Sequence, residues 1–218
     1  MQDERYLQLL SRKFPNAQSV VTELINLRAI LSLPKGTEHF VSDLHGEANA
    51  FIHMIKNASG VIRKKVDEAY GDSLCEEEKR ALCALIYYPD ERIDLVKRRH
   101  KGQPNNALQE GFDYSNMYEW YKRRLHQVVA IARAITIKYT RSKVYKHLPK
   151  DYAYVIKELL HESSLEQKDR QAYYNAVIEA IIETGCAEQL LISITYFIHS
   201  MAIDMLHIVG DIFDRGPR

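Results

Sequence analysis

The chain has 218 residues, of which 46% are hydrophobic and 27% charged, and its formal net charge is +1. That length allows one good-sized domain or two small ones, and that composition is ordinary for a globular fold in water. A balanced charge gives no global field for nucleic acid or for an anionic membrane, so neither is expected as a partner.

Met1-Gln2-Asp3-Glu4-Arg5-Tyr6 lacks the apolar run of a signal peptide. Residues 4–14 read as a short helix ended before Pro15, and 19–33 as a second, with Val20, Val21, Leu24, Ile25, Leu27, Ile30 and Leu31 forming an apolar face stopped at Pro34-Lys35-Gly36. The period then changes. Residues 38–42 suit a buried strand, Asp43-Leu44-His45-Gly46 is its exit loop, and 47–56 is the helix after it, ended by Asn57-Ala58-Ser59-Gly60.

From 61 to 185 the pattern is almost wholly helical. Ser73 and Glu76 have capping-box spacing, Pro89 opens a helix, residues 101–106 form a loop, and Ser115 stands where a long helix through Trp120 and Ile135 would be capped. Further helices are predicted over 151–162 and 165–184, the latter closed by Gly185. Lys97-Arg98-Arg99-His100-Lys101 is read as a solvated helix end that favours its own dipole. The arginines between Tyr118 and Tyr139 are read as belonging to a core helix, not to a nucleic-acid surface. A last helix is predicted over 187–201 and a second strand over 203–209; polar Ser193, Thr195, His199 and Ser200 keep 190–203 from reading as a membrane span. Cys75, Cys83 and Cys186 are odd in number and form no Cys-x-x-Cys pair, which suits free thiols in a reducing cytoplasm.

Two strands with polar residues at their C-terminal ends, separated by helices, point to an α/β fold with a parallel sheet and a ligand site at its carboxyl edge. At the first edge, Asp43 and His45 are two apart; in an extended segment both would face one ion. A carboxylate with an imidazole suits Mn, Fe, Zn or Co better than Mg or Ca. At the second edge comes Gly210-Asp211-Ile212-Phe213-Asp214-Arg215-Gly216. Asp211, beside a glycine, is placed to bridge two ions, Asp214 to orient another side chain, and Arg215 to offer a planar fork to phosphate oxygens. His39 and His207, in the strands, are read as packing or supporting residues.

These segments resemble the first two sequence blocks of the calcineurin-like metallophosphatases. The narrower resemblance is to the class III (Firmicutes-type) fructose-1,6-bisphosphatases, carried by 6–15, by Leu33-Pro34-Lys35-Gly36-Thr37-Glu38-His39-Phe40-Val41-Ser42-Asp43-Leu44-His45-Gly46-Glu47, by 57–62 and by 206–218. The gap from Asp43 to Asp211, 211 − 43 = 168 residues, fits the same branch, which fills it with helix where the wider superfamily leaves much less.

The resemblance implies the first half of a calcineurin-like sandwich: 1–60 as core, 61–185 as a helical insertion, and 186–218 as returning core. It implies that Asp43 and His45 ligate a first metal, that Asp211 bridges two, that Asp214 orients a catalytic histidine and that Arg215 contacts the scissile phosphate. It further implies a cytoplasmic phosphomonoesterase of gluconeogenesis, taking fructose 1,6-bisphosphate to fructose 6-phosphate and phosphate by two-metal-activated water, with manganese as the favoured ion. It leaves room for a homo-oligomer. The family's Asn-His block, its later histidines and its general acid would lie beyond Arg218, so residues 1–218 alone are expected to be inactive. Two other readings remain open: a different phosphatase of the superfamily, acting on phosphoprotein or dinucleoside polyphosphate, and a non-catalytic helical interaction module.

Overall fold

The protein is seen here as a computed structural model that describes residues 2–102, 116–161 and 168–213. The chain opens with α1 (Gln2–Lys13) and α2 (Ala17–Leu31). Asn16 starts α2, its side chain accepting from the Ser19 amide at 2.9 Å, which satisfies one of the unpaired donors of the first turn. β1 (Glu38–Val41) follows, then α3 (Ala48–Asn57) and α4 (Val61–Tyr70). Between these two helices Ala58, Ser59 and Gly60 all take left-handed backbone angles, as the residue types at 57–60 suggest.

α5 (Glu76–Tyr87) is capped by Cys75, whose amide donates to Glu78 at 3.2 Å, so the box sits two residues beyond the predicted Ser73 and Glu76. Ser73 instead ends the turn before it. α6 (Pro89–His100) begins at the proline and carries Lys97, Arg98, Arg99 and His100 in its last turn, where cations meet the negative end of the dipole. α7 (Met117–Thr136) is capped by Asn116 through the Glu119 amide at 3.2 Å; Ser115 lies outside the described residues. α8 (Arg141–Lys146), α9 (Ala153–His161), α10 (Lys168–Glu183), α11 (Ala187–Ala202) and β2 (Met205–Ile208) follow among the described residues.

The core is helical. α7 and α11 pack against each other along their length, and α4, α5, α9 and α10 close around α7. Trp120, Leu125, Ile131, Leu191, Ile194, Phe197 and Ile198 are almost wholly buried there. Arg124 of α7 is buried as well and donates to Gln127 at 2.7 Å, which confirms α7 as a core helix despite its arginines. By contrast α2, apolar over a wide arc, buries none of its residues.

β1 and β2 form a two-stranded parallel sheet in the register Glu38↔Met205 through Val41↔Ile208. The molecule is therefore a mostly helical α/β structure with a small parallel sheet. The strands are not the buried strands that the sequence predicts: Phe40, Met205 and Ile208 are exposed, and only His39 is buried. Among the described residues the pair has no third strand, whereas parallel sheets usually have both faces covered.

At the N-terminal ends of the strands, Asp204 ties them to the helices. Its carboxylate accepts from the Thr37 amide and from Lys138 Nζ, at 2.7 and 2.6 Å, and meets Lys143 Nζ at 3.2 Å. Lys138 also donates to Thr37 Oγ1 at 2.6 Å. Gly36 makes room for this: a Cβ there would sit 3.0 Å from the Asp204 carboxylate. Burial would raise the Asp204 carboxyl, but hydrogen bonds from Lys138, Tyr139 and Thr37 outweigh it and hold it at about 2, against an ordinary 3.8.

Because the folded value is depressed, the contribution is present above pH ~4 and disappears as pH falls through the interval from about 4 to 2. The shift corresponds to about 2 kcal/mol. Urea midpoints of wild type and Asp204→Asn should thus differ at pH 6 and converge toward pH 2. A gap of constant size across that range would show that the carboxylate is not the source.

Candidate metal centre

The two loops singled out in the sequence meet at the C-terminal ends of the strands. The ladder continues past them with Val209 N donating to Val41 O at 2.8 Å. Then the loops hold each other: Leu44 N and His45 N both donate to Asp211 O, at 2.7 and 3.2 Å, and Gly46 N donates to Ile212 O at 2.8 Å. In return Asp211 N donates to Asp43 Oδ1 at 3.1 Å.

Register explains why glycine precedes Asp211. Along the ladder partners differ by 205 − 38 = 167, so the residue opposite Asp43 is 43 + 167 = 210. Gly210 has φ 138°, and a Cβ there would overlap the Asp43 carboxylate and approach the Asp43 amide nitrogen to 3.2 Å. The absent side chain is the space in which the Asp43 carboxylate lies. Only then can Asp211, one residue on, turn its amide onto that carboxylate.

His45 departs from its expected geometry. The segment is not extended there: His45 has φ 48°, in the left-handed region that costs a non-glycine residue about 1 kcal/mol or more. Asp43 and His45 therefore do not share a face by simple alternation. Among the described residues, no three His, Cys, Asp or Glu side chains form a group that could hold a metal ion. What the structure brings together is the Asp43 carboxylate and the Asp211 backbone, with His45 in the same turn. Asp214 and Arg215 lie outside the described residues.

The donor chemistry nonetheless suits a first-row transition metal. Two carboxylates and one imidazole are carried by two interlocked loops, and a cavity for one carboxylate is built by a glycine. The strained turn at His45 is of the kind that clusters at such sites. Beside the loops lies an open cavity of about 710 Å³, lined by Leu44, Gly46, Glu47, Ala48, Phe51, Ile208, Ile212 and Phe213. Among the described residues its lining is mostly apolar and includes no cation.

His39 and His207 sit in the strands as packing residues. His39 is buried, and burial followed by the nearby Lys138 pushes its imidazole below the ordinary value, so it is neutral near pH 7. His207 stacks on Phe40 with ring centroids 4.5 Å apart, and its Nε2 lies 3.3 Å from a Glu38 carboxylate oxygen. Asp204 and Lys138 were not legible as partners from the sequence, because nothing local marks either residue and their meeting spans the whole of α8 to α11. No described helix is long and apolar enough to cross a membrane.

Comparison with known proteins agrees with the two-block pattern. The family model described as Firmicute fructose-1,6-bisphosphatase matches residues 5–218. A class 3 fructose-1,6-bisphosphatase of Clostridium botulinum (strain Loch Maree / Type A3) is 48% identical over 213 residues, 98% of this chain and 30% of that protein. One of Clostridium tetani (strain Massachusetts / E88) is 47% identical over 215 residues, 99% of this chain and 30% of its own length. The chain thus spans about 30% of the length of these curated relatives. No solved structure matches. The family model covers nearly every residue, including both loops that meet at the strand ends, and on that basis the chain belongs to the Firmicute fructose-1,6-bisphosphatase family.

Proposed function

We propose that this chain supplies the first metal-holding blocks of a phosphomonoesterase that converts fructose 1,6-bisphosphate to fructose 6-phosphate and phosphate. The observation that carries the reading is the interlocking of the Asp43 and Asp211 loops at the carboxyl edge of a parallel pair, the usual ligand position in α/β sheets. The sugar substrate is supported by the names of the relatives, which also weigh against a phosphoprotein or dinucleotide substrate.

In this reading Asp43, His45 and Asp211 hold a divalent ion; the mixed carboxylate–imidazole set suits Mn, Fe, Zn or Co, and manganese is the choice that the family resemblance implies. When bound, such an ion would supply Lewis acidity toward phosphate and lower the pKa of its bound water toward neutrality. The chain's own residues do the rest of what can be assigned. Asp43 and Asp211 contribute the negative charge that attracts the ion, and the Gly210 gap keeps the first carboxylate aimed. Arg215 pairs its planar fork with phosphate oxygens, as charge-assisted bidentate bonds favour, and Asp214 orients the catalytic histidine that the family resemblance places beyond Arg218. The division into 1–60, 61–185 and 186–218, the calcineurin-like sandwich that would cover the strand pair, and a cytoplasmic setting belong to the same proposal.

Asp211→Ala in the whole protein is expected to lower the rate of fructose 1,6-bisphosphate hydrolysis by at least about 100-fold, the scale on which transition-state charge stabilisation is lost. Manganese titration by calorimetry should weaken in parallel. A rate within a few-fold of wild type would remove Asp211 from the metal site and the proposal with it.

A further inference from the structure

We infer that Asp204, held by Lys138, is a positioning residue for the Asp43/Asp211 pair, fixing from the far end of the strands the register in which the two loops meet. Its importance for function rests on the reading of Asp43 and Asp211 as metal carboxylates.

The ladder between β1 and β2 is only four residue pairs long. Register is strongly specified where one strand face is buried and weakly where it is not. Within residues 1–218 Phe40, Met205 and Ile208 are exposed, so in this part of the protein burial alone pins the pairing poorly. A slip of one residue would move Asp211 about 3.3 Å along the sheet and turn every β2 side chain to the opposite face. Gly210 would then no longer stand opposite Asp43, and the space for the carboxylate would be lost.

The Asp204 cluster opposes that slip with directional bonds. Thr37 O accepts from both Asp204 N and Met205 N, at 3.1 and 3.2 Å, while Thr37 N donates back to Asp204 Oδ2 at 2.7 Å. Lys138 Nζ, from just beyond α7, bridges Asp204 Oδ2 and Thr37 Oγ1, both at 2.6 Å, and reaches Ala202 O at 3.4 Å. Tyr139 adds a bond from its hydroxyl to Met201 O at 2.8 Å. The Lys138 and Asp204 side chains are only 11% and 12% exposed, so this ion pair is little screened. One cation therefore binds the residue before each strand at once, and couples both to the helical body. Asp211 follows Asp204 by seven residues, roughly 20 Å of extended chain, so the cluster acts on the loops through the strands and not by contact.

The test compares Lys138→Met, Asp204→Asn and Lys138→Arg in the 218-residue chain, by amide hydrogen exchange followed with NMR and by thermal melting, without metal. Lys138→Met and Asp204→Asn should each speed exchange at the Leu44, Gly46 and Asp211 amides at least about tenfold, while amides of α7 and α11 keep their wild-type protection. Lys138→Arg, which retains a cationic donor on a differently shaped head, should speed exchange at the loop amides less than Lys138→Met does. Unchanged exchange at the loop amides, loosening of the loops only in step with α7 and α11, or equal loosening by arginine and methionine would each overturn the positioning role. The measurement involves no ion and no substrate, so failure of the metal reading would leave its outcome intact, and its failure would leave the metal reading standing.

Discussion

Gly210→Ala is expected to abolish activity of the whole protein while leaving its helical body folded. Two effects act together. The backbone at φ 138° is open to glycine and strained for alanine, at a cost on the order of 1–3 kcal/mol. The added methyl would also overlap the carboxylate of Asp43, and the nearby amide nitrogen of Asp43 leaves no retreat on that side. Either Asp43 leaves its place or the two loops part, and in both cases the Asp211 N–H loses its acceptor. Manganese affinity and hydrolysis rate should fall by at least about 100-fold, as for loss of a carboxylate that aims at the reacting centre. Far-ultraviolet circular dichroism should hold, because the hydrophobic core cluster runs from Ala58 to Ala202 and leaves out both strands and both loops. An alanine variant with wild-type metal affinity would show that the space opposite Asp43 has no part in the site.

The largest effect on stability is expected from Phe197→Ala. Phe197 is 2% exposed in α11, the helix that packs along α7, and removing a buried phenyl ring typically costs 3–5 kcal/mol through lost burial and the cavity left behind. That is a large share of the 5–15 kcal/mol that a domain of this size has. Leu24→Ala is the control: Leu24 is 47% exposed on α2, which buries no residue, so its change should stay within about 0.5 kcal/mol. Urea unfolding followed by fluorescence separates the two, since the chain has one tryptophan, Trp120, and it lies in the same core. Equal midpoints for the two variants would mean that the core does not sit between α7 and α11.

The helices were legible because their apolar residues recur at helical spacing and their ends carry capping residues. α8 was not, since a six-residue helix with only Val144 buried has no face for a pattern to reveal. The cap of α5 was misplaced because Ser73 and Glu76 repeat the spacing of the residues that do the capping, Cys75 and Glu78, and serine is the commoner cap. Both loops of the candidate site were legible for a local reason: an acidic residue with a small neighbour just after a strand. The conformation of His45 was not, because its left-handed angle follows from bonds to Asp211 and Ile212 that exist only once the distant strand has docked. The Asp204–Lys138 pair stayed hidden on the same ground, as a contact between residues 66 apart leaves no periodic trace.

α2 has a consequence for handling. Val20, Val21, Leu24, Ile25, Leu27, Ile30 and Leu31 lie open on it, between 39% and 85% exposed. In residues 1–218 on their own, a greasy ridge of that extent is expected to make molecules stick to one another in water. The attraction weakens on cooling, since its driving force near room temperature is the entropy of released water. Dilute samples kept near 4 °C should accordingly stay clear longer than the same samples at 37 °C, and turbidity that appears on warming should subside on chilling before the helices have melted.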